Sequence, residues 1–223
     1  MKSLIALFLL FGFQTLQAQE KDQAKNEEIY SAIRSMKRAQ AASDYAPIIE
    51  QLDQVCSAQK GNWIPHYYAA LARVFLVLKS SPKEPGAAVH IKAGESKLEA
   101  AAKLSQDEEI LLLQAYLKIL RMNAEGGDSY KQYGPAIEAL LSNVRNINGA
   151  NPRLFLMEGY YRLGLPGEMG GGNEGARPFL TEAQNIFMNG EQERFQFMPT
   201  WGGKIVEELL AQLDGQQTST NVK

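Results

Sequence analysis

The chain has 223 residues, a formal net charge of −2, 45% hydrophobic residues and a single cysteine. That length supports one domain with a substantial core. The near-neutral, slightly acidic balance argues against nucleic acid as a partner, because phosphate binding needs clustered Lys and Arg. One cysteine excludes an intramolecular disulfide and a thiolate-built zinc site.

Lys2, the apolar run from Leu4 to Phe13 and then Leu16-Gln17-Ala18-Gln19 follow the order of a secretory signal cut after Ala18. The run is shorter than the ~20 apolar residues of a membrane span. The expectation is a signal peptide over 1–18, a periplasmic or secreted mature chain, and no stable membrane insertion after cleavage. Residues 19–27 are polar and expected to be flexible, as is the polar tail 215–223; a helical domain is expected over 28–214.

Within that domain, Ile29, Ala32, Ile33 and Met36 set a helix from about Glu28 to Ala42. Asp44 is placed to cap a second, with Pro47 in its first turn and Ile48, Ile49, Leu52 and Val55 inward. Cys56 lies on that apolar face and reads as a buried, inert thiol. A third helix begins after Asn62, with Pro65 in its first turn and Tyr68, Leu71, Ala72, Phe75 and Leu78 along one stripe. A fourth spans about Ala88 to Leu104. Ser105-Gln106-Asp107-Glu108 has the form of a capping box and opens the most apolar segment, Ile110 to Leu120. A helix apolar nearly all round is expected to be central, covered on several sides. A sixth helix covers about Tyr130 to Val144, and Asn151-Pro152 opens a seventh that carries Phe155, Tyr160 and Tyr161. The eighth starts near Gly175, and the last runs from about Trp201 to Leu213, with Trp201 capping its hairpin. No run alternates convincingly enough to be a strand.

A small residue at the centre of an apolar helix recurs at Ala72, Ala115 and Gly159, forty-three and forty-four residues apart. A second series, early in the following helix, is Ala93, Ala136 and Ala176. Such self-similarity indicates an all-α, right-handed stack of about four helical hairpins with a C-terminal capping helix. Ala176-x3-Leu180-x2-Ala183 resembles the second-helix pattern of tetratricopeptide (TPR) repeats, with Leu in place of Phe; Ala136-x3-Leu140-x2-Asn143 is a weaker echo. The chain also resembles TPR-like proteins of the bacterial envelope that carry a Gly-Gly-Gly turn, here Gly170 to Gly172, and a Pro-x-Trp-Gly, here Pro199 to Gly202. The resemblance implies a fold and a compartment, and no reaction.

Two features are candidate binding sites. Gly170, Gly171, Gly172 and Asn173 form either a backbone nest for an anion or peptide carboxylate, or a tight inter-helix turn that needs φ > 0 at several glycines. The aromatic residues around Trp63 to Tyr68 and Phe155 to Tyr161 either line a groove or pack between repeats. Tyr67 and Tyr161 fall further from the apolar stripes than Tyr68 and Tyr160, and are the expected exposed pair. His66 and His90 lack ligand spacing, and the adjacent acidic pairs, Glu108-Glu109 among them, read as solvated helix starts or faces. No catalytic residue, metal site or cofactor is expected. The reading is a non-enzymatic scaffold for an envelope protein or peptide; the alternative is a small-solute binder serving a transporter.

Overall fold

The computed structural model describes residues 26–190 and 197–220, so the expected signal peptide and most of the polar N-terminus lie outside the described residues. The described residues form α1 (26–38), α2 (Tyr45–Ala58), α3 (Trp63–Ser80), α4 (Ala87–Ala102), α5 (Glu108–Glu125), α6 (Ser129–Asn148), α7 (Pro152–Leu163), α8 (Gly172–Asn189) and α9 (Gly203–Thr220). No strand occurs among them, and none of these helices is long and apolar enough to cross a membrane. The last helix continues past Gly215, where a polar tail was expected to begin.

Local signals set most helix starts. Asn62, Asp107 and Asn151 each accept a hydrogen bond from the backbone N–H two residues on, which satisfies an otherwise orphaned donor. The expected capping box at Ser105 is corrected: the cap is Asp107, and Ser105 Oγ accepts from the Asp107 N–H instead. Asp44 stands at the N-cap of α2 as expected but makes no side-chain cap there; its carboxylate turns back to accept from the N–H groups of Gln40 and Ala41.

Hairpins α3/α4, α5/α6 and α7/α8 pack as pairs, and their first helices also touch in series, α3 on α5 and α5 on α7. The small residues of those first helices lie inside the stack, and in α7 the glycine is what lets α8 approach. Ala72, Ala115 and Gly159 are buried, and a Cβ added to Gly159 would lie 2.7 Å from Leu180 of its partner helix. Ala176, Leu180 and Ala183 are all fully buried on the facing side. The second series does not hold: Ala93 is half-buried and Ala136 exposed. The close approaches there are made by Gly94, against Leu117, and Gly134, against the Tyr161 hydroxyl. α5 is central as expected, packed on α3, α4, α6 and α7.

Cys56 is 3% exposed, and burial pushes its thiol up to about 11. Because the thiolate is the nucleophile, Cys56 is expected to resist an aromatic disulfide reagent at neutral pH until the protein is unfolded. Rapid labelling of the native protein would contradict this.

Candidate functional site

A concave groove of about 900 Å³ opens on the face built by α1, α3, α5, α7 and the α8–α9 corner. Its aromatic lining comes from Tyr45, Tyr68, Phe75, Tyr116, Tyr160, Phe187 and Trp201. Its floor is set by Thr200, Trp201 and Gly202 of the irregular stretch 197–202, which packs against α1 and α3. The Phe197 ring lies 4.4 Å from that of Tyr30 on α1, and its carbonyl accepts from the Tyr68 hydroxyl at 2.9 Å. Phe197 is held at φ 66°, a conformation that disfavours non-glycine residues and persists where surroundings over-determine it. Gly202, at φ 120°, passes so close to Phe187 that a Cβ there would lie 2.5 Å from the ring. Only glycine fits that corner.

Trp201 is the centre of this floor. Its ring stacks on Tyr116 at 5.9 Å and 21°, and meets Phe75 edge-on at 6.2 Å. Its indole N–H donates to the Tyr67 hydroxyl at 2.8 Å, and its carbonyl accepts from Arg153 Nη1 at 3.0 Å. The Arg153 guanidinium also lies 5.7 Å from the ring centre. Trp201 therefore does not cap the final hairpin; it packs into the groove.

Beneath it is a buried ionic network. Arg153 Nε donates to both carboxylate oxygens of Glu109 at 3.0 and 2.9 Å, with both side chains fully buried. Asn151 Nδ2 adds a bond at 2.7 Å, and the Tyr67 hydroxyl a longer one at 3.4 Å. Glu108 is buried too and accepts from Asn148. The expectation that Glu108 and Glu109 are solvated is thus corrected. Burial raises the Glu109 carboxyl above the ordinary range, against the pull of Arg153 and Asn151.

The expected exposed tyrosines are also corrected. Tyr67 is fully buried and Tyr161 is 6% exposed, the latter bonded to Glu138 on α6. Burial, with Glu138 beside it, pushes the Tyr161 hydroxyl up to about 12. The groove takes their neighbours Tyr68 and Tyr160 instead. One residue along a helix is a 100° rotation, so the adjacent tyrosine faces a different neighbour.

Gly170, Gly171, Gly172 and Asn173 lie at the α7–α8 connection, away from the groove lining. Gly170 and Gly172 take φ of 70° and 75°, and Cβ atoms on Gly171 and Gly175 would run into the carbonyls of Leu165 and Gly170. Arg162 donates to the carbonyls of Met169 and Gly170. The turn's composition thus follows from its own backbone geometry. His66 and His90 are absent from the groove lining, and no group of three or more His, Cys, Asp or Glu able to hold a metal occurs among the described residues.

Fold and groove together define an all-α protein of stacked helical hairpins with an aromatic-lined concave face. No family model matches the chain, and no curated protein matches it. Among solved structures, it is similar to the HusA haemophore from Porphyromonas gingivalis, with a TM-score of 0.70 and 21% identity over 87% of this chain and 93% of that one. At that identity the likeness is one of fold.

Proposed function

We propose that this chain is a non-enzymatic binding protein of the periplasm or extracellular space, built on a TPR-like scaffold, that takes a flat tetrapyrrole such as haem into the aromatic groove. One observation carries this reading: the concave face encloses about 900 Å³ and is walled mainly by rings and aliphatic side chains. Ligand sites for small molecules typically have such volumes, about 300–1,000 Å³, and such linings. Trp201 and Tyr160, both partly exposed and held stacked and edge-on by the fully buried Tyr116, offer a rigid platform whose ordering cost is met before binding. The similarity in fold to a haemophore points the same way.

This reading replaces the protein- or peptide-binding scaffold with the alternative of a small-solute binder. Tyr67 and Tyr161, the tyrosines expected to form a peptide face, are buried, whereas the concave face is lined by aromatic rings. The periplasmic or secreted location rests on the N-terminal sequence. A titration of haem into the protein, followed by the haem absorbance band and by tryptophan fluorescence, is expected to saturate at a single haem per chain with a shifted band. An unshifted band and unquenched fluorescence at haem concentrations well above the protein's would remove the proposal.

A further inference from the structure

The two walls of the groove differ in charge. On the α1–α3 wall the ionisable lining residues other than tyrosine are Lys37 and Lys79. Both are exposed, and neither has an ion-pair partner among the described residues. The α9 part of the lining carries the only carboxylates among the described lining residues, Glu207 and Glu208, and its lysine, Lys204, lies 3.8 Å from Glu208. Lys37 and Lys79 stand in the last turns of α1 and α3, where a cation complements the helix dipole. Dipole complementarity does not require both to face one groove.

We infer that Lys37 and Lys79 form an anion-receiving edge that sets the orientation of the ligand, drawing its carboxylates to the α1–α3 side and away from Glu207 and Glu208. This deepens the tetrapyrrole reading and rests on it: the aromatic floor takes the ring, and the lysine edge selects the acid form. An apolar ring alone has no preferred rotation in such a groove. A positive edge and a negative one in the same lining supply that preference, because like charges across an interface are disfavoured and opposite ones attract.

The test is a fluorescence titration of the full chain with haem and with haem dimethyl ester, whose propionates are capped. Wild type, Lys37→Gln/Lys79→Gln and Lys204→Gln are compared at low and high salt. Two exposed ion pairs of ordinary strength amount to about a fivefold change. The wild type is expected to bind haem about fivefold more tightly than the ester. The double variant should lose that preference and bind both like the ester. Lys204→Gln should keep it, and high salt should erase it by screening. Equal affinity of wild type for acid and ester, or an equal loss in Lys204→Gln, would overturn the lysine assignment while leaving the groove reading in place. Binding of neither compound would overturn both.

Discussion

Glu109→Gln is expected to lower the unfolding free energy by about 3–5 kcal/mol, the usual cost of removing one partner of a fully buried ion pair. For a chain of this size that is a fall in melting temperature of about 6–20 °C. The size of the effect comes from where Arg153 lies. Its side chain is fully buried, and it donates both to the Glu109 carboxylate and to the Trp201 carbonyl. Replacing both partners by apolar residues of similar volume, Glu109→Leu with Arg153→Met, should recover most of the lost stability, because the desolvation cost of both charges disappears together. Urea unfolding of the single and double variants measures both terms. A single-variant loss below about 1 kcal/mol would show that the pair is not a buried, coupled unit.

Trp201→Ala is expected to weaken haem binding about 30-fold or more, with Trp63→Phe leaving it unchanged. Buried aromatic anchors at the centre of a binding surface commonly cost 2 kcal/mol or more on truncation, and each 1.4 kcal/mol is a factor of ten. Trp201 lines the groove and holds Tyr116 and Phe75 in place, whereas Trp63 packs edge-on against Tyr67 outside it. The Glu109 prediction and this one are linked through Arg153, which ties the buried pair to the Trp201 carbonyl. Weakened pairing should therefore loosen the groove floor as well as the fold. Circular dichroism on Trp201→Ala separates lost binding from lost structure. Wild-type affinity in a folded Trp201→Ala would remove Trp201 from the site.

The helices were largely readable because their starts are local chemistry. Asn62, Asn151 and Pro152 announce α3 and α7 within a few residues, and the all-round apolarity of α5 correctly placed it at the centre. The site was less readable, because it joins residues from Ile33 to Gln212. Its lining is largely apolar, so its tyrosines look like core: Tyr68 is 4% exposed and still lines the groove. Choosing Tyr67 over Tyr68 by distance from the apolar stripe failed for this reason. On α3, enclosed by α2, α4, α5 and the 197–202 stretch, the off-stripe face is also covered. Glu109 was misread because an acid at a helix start is usually solvated. Its partner is forty-four residues on, one repeat later in the stack. The Pro-x-Trp-Gly motif is plain in the sequence, but its destination depends on a chain reversal that no local signal specifies.

The most direct test of the central claim follows the indole N–H resonances of Trp63 and Trp201 by heteronuclear NMR during titration with metal-free protoporphyrin IX. The ring-face account predicts that the Trp201 signal shifts or broadens early and saturates with the bound fraction, while the Trp63 signal stays near its starting position. A Trp201 signal that does not move while the porphyrin binds, or one that moves no more than Trp63, would contradict a tetrapyrrole site in this groove.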